Sequence, residues 1–147
     1  MKINGQCHCG AIKISGATDE TNTIACHCTD CQIFSGAPFR AVVICKAEDF
    51  NVLGSPKEYL KTADRGNRKI QAFCKECGSQ LYATDLEKTI FNVRMGSLDQ
   101  RDDLKPTRHI FGTSSRAWIN KLTKDPWFTK GPNSDPMKID GYSMNFK

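Results

Sequence analysis

Ile70-Gln-Ala-Phe-Cys-Lys-Glu-Cys-Gly-Ser-Gln-Leu-Tyr-Ala-Thr84 holds two short runs of apolar, aromatic and β-branched residues on either side of a Cys-x-x-Cys-Gly turn. Residues 70–73 and 79–84 read as hairpin strands. The turn between them has the form of a metal knuckle, in which a tight bend brings two thiols toward one ion. Gly78, directly after the second cysteine, accepts a positive φ, so the chain can turn sharply and aim backbone N–H groups at the sulfur.

The same pattern continues outward. Ala11–Ser15 before Gly16, Phe39–Cys45 after Pro38, Thr89–Arg94 before Gly96 and Thr107–Phe111 after Pro106 all read as strands bounded by turn residues. About seven short strands predict a mainly β fold, a single antiparallel β-sheet domain. Helical signals are confined to single turns at 46–50 and 115–121. After Asp125 come Pro126, Gly131, Pro132 and Pro136, which predict an irregular tail over 126–147 behind a zinc-binding β domain over 1–125. With 147 residues the chain has room for one core, and that size needs no covalent staples.

Eight cysteines therefore call for another explanation. Their share is below the ~8–10% of a disulfide scaffold. The N-terminus has no apolar stretch of the kind an export signal needs. No apolar run approaches the ~20 residues of a membrane span. These features predict a cytoplasmic protein without membrane contact, where clustered thiols are metal ligands or catalytic groups. The net charge is +5, and the whole excess falls after residue 103, where eight basic and three acidic side chains are spread singly. Nucleic-acid binding needs its cations gathered on one face, so a solvated surface is expected instead.

The cysteines stand at Cys7-x-Cys9, Cys26-x-Cys28-x-x-Cys31, Cys45 and Cys74-x-x-Cys77. Cys9 and Cys77 are each followed by Gly, whereas Cys31 is not. This pairs Cys7, Cys9, Cys74 and Cys77 as a closed structural zinc site, since four protein thiolates complete a tetrahedron. Cys26, Cys28 and Cys31 remain as three thiolates on one face of a second ion, the open pattern of catalytic zinc. Cys45 ends an apolar run and is expected to be a buried small hydrophobe. His8 and His27 lie between ligands and are expected to pack or hydrogen-bond, as is His109 in its strand.

Gly5-Gln-Cys-His-Cys-Gly10, Ala25-Cys-His-Cys-Thr-Asp-Cys31 with Ser35-Gly-Ala-Pro38, and Ala72-Phe-Cys-Lys-Glu-Cys-Gly78 with Leu81-Tyr82 resemble the glutathione-dependent formaldehyde-activating enzyme family. Gly96-Ser-Leu-Asp99, Pro106, His109-Ile110 and Trp118 look like its later landmarks. The resemblance implies the β-tent fold of methionine sulfoxide reductase B and two zinc ions per chain; the second, held by one short loop, is expected to be the more easily lost. It also implies a structural ion on Cys7, Cys9, Cys74 and Cys77 and a catalytic one on Cys26, Cys28 and Cys31.

The activity implied is that of a carbon–sulfur lyase similar to S-(hydroxymethyl)glutathione synthase, adding a thiol such as glutathione to a small aldehyde such as formaldehyde. Three thiolates leave Zn²⁺ with a net charge of −1, which favours activation of a thiol over strong polarisation of a carbonyl. Arg40, Arg65, Arg68 and Arg94 are candidates for a tripeptide's carboxylates. The alternative is a zinc-stabilised binding module with two structural zincs. Sulfoxide reduction fits less well, because it draws a nucleophilic thiol from later in the chain and no Cys follows Cys77.

Overall fold

The computed structural model describes residues 1–63 and 66–137. Contacts divide the chain into two units, 1–115 and 116–147.

The first unit runs β1 (Lys2–Gln6), β2 (Lys13–Ala17), β3 (Thr23–Cys26), α1 (Thr29–Ser35), β4 (Arg40–Lys46), β5 (Phe50–Leu53), β6 (Lys57–Thr62), β7 (Arg68–Phe73), β8 (Gln80–Thr84), β9 (Ile90–Arg94) and β10 (Arg108–Ile110). It contains two sheets, a three-stranded one in the order β1-β2-β5 and a seven-stranded one in the order β10-β3-β4-β9-β8-β7-β6. The single sheet expected from the sequence is thus corrected. Ile3, Ile14 and Val52 give the small sheet an apolar face, and Val43, Cys45, Ala72, Tyr82, Phe91 and Val93 give one to the large sheet. Stacking the two removes both faces from water at once, which one sheet cannot do. A bridge from Gly5 to Leu98 joins the layers.

Antiparallel pairing also has an exception, since β10 runs parallel to β3, with His109 opposite Ala25 and Ile110 opposite Cys26. Parallel neighbours need a long connection. The return along 95–107 brings β10 in from a distant part of the chain. Thr107 seats it, with its N–H donating to Thr23 Oγ1 and its hydroxyl to the Thr23 carbonyl.

Strand alternation divides the large sheet by chemistry. Val43 and Cys45 on β4 and Phe91 and Val93 on β9 face the core, while Arg40, Asn92, Arg94 and Gln71 take the other phase of their strands. The opposite face mixes these polar side chains with Val42 and Ile44, and it carries the second cysteine group. Helix α1 goes beyond the expected elements. Its seven residues are short for a periodic signal, and it exists because Cys28 caps its start and Gly36, at φ 61°, ends it.

In the second unit a helical turn spans Ile119–Lys124, and β11 (Trp127–Phe128) pairs antiparallel with β12 (Pro136–Met137). Trp127 Nε1 donates to the Leu122 carbonyl at 2.8 Å. Residues 138–147 of the expected tail lie outside the described residues. Among the described residues no helix is long and apolar enough to cross a membrane.

Candidate metal centres

The thiols of Cys7, Cys9, Cys74 and Cys77 come together within 4.8 Å of one another. Each pair sits on a knuckle. Gly10 N–H donates to the Cys7 carbonyl and Gly78 N–H to that of Cys74; the two glycines stand at φ 76° and 73°, a region a side chain enters only with strain. Ser79 ties the loops together, with its Oγ 3.0 Å from the His8 backbone nitrogen and 3.2 Å from Cys77 Sγ.

The sulfurs have the spacing of metal ligands rather than disulfides. Cys7 and Cys9 are 3.6 Å apart and Cys9 and Cys74 3.7 Å. Four sulfurs each ~2.3 Å from one zinc stand about 3.8 Å apart at the corners of a tetrahedron. The Ser79 hydroxyl, followed by backbone N–H groups, holds Cys77 down to about 5. The Ala11 N–H favours the Cys9 anion, but the adjoining sulfurs of Cys7 and Cys77 push it up to about 12. Thiols crowded this closely cannot all ionise unless a cation shares their charge.

The second group is Cys26, Cys28 and Cys31. Cys26 ends β3, Cys28 caps α1, and Cys31 lies in the helix's first turn. The sulfurs are 3.6 Å (26–28), 3.1 Å (28–31) and 3.1 Å (26–31) apart. Cys31 donates to Cys26, and this bond, with Arg40 assisting, draws Cys26 down to about 5. The same bond and burial raise Cys31. Among the described residues no fourth His, Cys, Asp or Glu joins the three. In number and kind they suit a zinc ion with one position left to a ligand from outside, although the two 3.1 Å spacings are tighter than the ~3.8 Å of sulfurs around zinc.

That position faces a cavity of about 370 Å³ whose wall includes all three cysteines, Arg40, Lys61, Lys69, Gln71, Asn92, Ile110 and Phe111. Lys61 is ion-paired with Asp30. Phe111 holds a left-handed φ of 58° and stays half exposed at the rim, an arrangement a bulky residue adopts only where its surroundings impose it. A larger cavity of about 770 Å³ lies beside α1 and has Arg40, Arg94, Gln80 and Ser97 in its wall.

His27 is buried and does not face the thiols. Its Nε2 lies 2.9 Å from His109 Nδ1, with the two rings stacked. His8 is exposed and lines the larger cavity. Cys45 is in the core, where burial pushes its thiol up to about 11. Of the arginines, Arg40 and Arg94 stand by the second thiol group, Arg68 is exposed at the start of β7, and Arg65 lies outside the described residues.

Gln71 is a site residue that the sequence pattern alone does not single out. Its signal is a buried amide between Ile70 and Ala72 in a strand, which only a polar partner on the opposite face explains. Asn92, a half-buried amide between Phe91 and Val93 on β9, is a weaker case of the same kind.

The model of the family described as glutathione-dependent formaldehyde-activating enzyme matches residues 2–114. A protein of Schizosaccharomyces pombe described as an uncharacterized lyase is 30% identical over 83 residues, a match spanning 55% of this chain and 56% of that relative. The chain thus spans only about half the length of that relative. The crystal structure of a Rhodobacter sphaeroides protein superposes with a TM-score of 0.55 at 20% identity, covering 70% of this chain and 96% of that one.

Proposed function

The chain belongs to the glutathione-dependent formaldehyde-activating enzyme family, and from that we propose that it is a zinc-dependent carbon–sulfur lyase, joining a thiol such as glutathione to a small aldehyde such as formaldehyde and cleaving the same bond in reverse. The contrast between its two thiol groups supports this. Four thiols make a closed set, while three open onto a cavity. With this reading go a structural zinc on Cys7, Cys9, Cys74 and Cys77, a catalytic zinc on Cys26, Cys28 and Cys31, and the β-tent architecture of methionine sulfoxide reductase B.

When bound at the open group, zinc supplies a site that lowers the pKa of an incoming thiol toward neutrality. The chain's own residues do the rest. The turn from β3 into α1 fixes three thiols in one small triangle. Arg40 offsets their charge. Ile110 and Phe111 give the cavity an apolar side on which a small aldehyde can approach. In the addition direction the sulfur–carbon bond forms as the carbonyl π bond breaks, and the thiol's proton ends on the new hydroxyl oxygen. No oxidant or reductant is consumed.

The test is NMR exchange spectroscopy on formaldehyde and glutathione with zinc-loaded protein. Faster exchange between free and adduct forms, lost in Cys31→Ser, is expected. If zinc-saturated protein leaves the exchange rate of glutathione and of other small thiols unchanged, the binding module with two structural zincs takes its place.

A further inference from the structure

Two guanidinium groups converge on one neutral atom. Gln71 Oε1 accepts from Arg40 Nη1 at 3.1 Å and from Arg94 Nη2 at 3.0 Å. Arg94 is only 6% exposed. Neither arginine has a carboxylate within ion-pair distance among the described residues, and Arg40 Nε and Arg94 Nε and Nη1 are buried with no acceptor. Unfilled donors on a buried cation are costly, and proteins keep them where an anion arrives.

Charge points the same way. Among the described residues, burial and the neighbouring Arg40 disfavour the Arg94 cation, and the sulfurs of Cys26 and Cys31 are what favour it. With zinc bound, three thiolates and the ion would carry −1, against +2 from the arginines and +1 from Lys69 in the wall of the thiol cavity, where Lys61 is already paired with Asp30. The site stays cationic and suits an anion.

A third buried group marks the place. Gln80 Oε1 is an acceptor with no donor, and Gln80, Arg40 and Arg94 all belong to the wall of the 770 Å³ cavity. Arg40 is the more exposed arginine and also lines the thiol cavity, so one elongated molecule can run past it from one space to the other.

We propose that Arg40 and Arg94, held together through Gln71, bind a carboxylate of the thiol substrate while Gln80 accepts an N–H of the same molecule. This rests on the thiol–aldehyde reading above and narrows it to thiols that carry a carboxylate beside an amide or amine. Planar guanidinium groups suit such a carboxylate because each offers two parallel donors.

Glutathione and its diethyl ester, titrated into protein carrying cobalt in place of zinc, test this. The cobalt spectrum reports sulfur binding whether or not the carboxylates are free. In the wild type the free acid should bind at least ~10-fold more tightly than the ester, the size expected of one charged hydrogen-bonded contact. Gln71→Glu places a carboxylate where the two guanidinium groups already point. It should raise the Tm and bring the ratio to about one, with the ester's affinity little changed. Arg40→Gln, at a less buried position, should also shrink the ratio.

Absence of a preference for the free acid in the wild type, or a preference that survives in both variants, overturns the proposal. If neither thiol alters the cobalt spectrum, the thiol–aldehyde reading fails separately. Calorimetry with S-methylglutathione and its diester then reads the carboxylate site alone, by the same ratio and the same two variants.

Discussion

Cys28 Sγ accepts the backbone N–H of Cys31 at 3.4 Å, so the bond that caps α1 also sets the distance between two thiols of the open group. Helix start and ligand geometry are the same local event. A serine hydroxyl makes the same cap, since oxygen at this position accepts from the third residue on.

Cys28→Ser should therefore keep α1 and the fold while losing the second metal. The circular dichroism spectrum should be unchanged and the unfolding free energy should stay within about 1 kcal/mol of wild type, given the usual ~0.5–2 kcal/mol value of a cap. Metal analysis after titration with Zn²⁺ should fall from two ions per chain to one. Two firmly held ions in the variant would refute the assignment of Cys28 as a ligand.

Cys7→Ala or Cys77→Ala should do the opposite. Their group joins two distant loops, with Cys9 and Cys74 in contact across 65 residues. Metal binding at structural sites contributes about 10 kcal/mol or more, comparable with the ~5–15 kcal/mol net stability of a domain. Insoluble or unfolded protein is expected, and a soluble variant with unchanged Tm would contradict it.

Gly78→Ala tests the knuckle without touching a ligand. Nothing lies near the added methyl, so its cost is the left-handed backbone at φ 73° alone. About 1–2 kcal/mol should be lost, several degrees of Tm, with zinc content unchanged. An unaltered Tm would mean the turn readily takes another conformation.

Cys45 predicts an alkaline effect. Burial raises its thiol from the ordinary value near 9 to about 11. The native state then holds this proton more tightly than the unfolded one, so the contribution is complete below pH 9 and is lost as pH climbs from 9 to 11. At about 1.4 kcal/mol per unit, roughly 2–3 kcal/mol is at stake. Urea unfolding of wild type and Cys45→Ala across that range should show the steeper decline in the wild type; parallel curves would assign the alkaline loss to other groups.

Much of the molecule is legible in the amino-acid sequence. The strands around Phe39–Cys45, Ile70–Phe73, Ser79–Thr84 and Thr89–Arg94 announce themselves by β-branched runs bounded by Gly or Pro, and the knuckles by Cys followed by Gly. Strands β1, β5 and β6 carry no such mark. Lys2–Gln6 and Lys57–Thr62 mix charged and apolar residues over five or six positions, too short for alternation to stand out. Helix α1 is hidden for a related reason, because its start is written in a cysteine rather than in Ser, Asp or Asn.

What the chain determined by itself is local. Thiol spacing and the glycine after it follow from the reach of a tight turn, and strand propensity follows from side-chain shape, so both can be read within a few residues. The tertiary structure alone decided which faces meet. It stacked two sheets because each had an apolar side to bury, brought β10 alongside β3, and turned Arg40, Gln71 and Arg94 from three strands toward one point. Burying apolar surface has no preferred direction and depends on area. The chain's alternation says that a strand has an inner and an outer face, and only the packed sheets say what stands opposite the outer one.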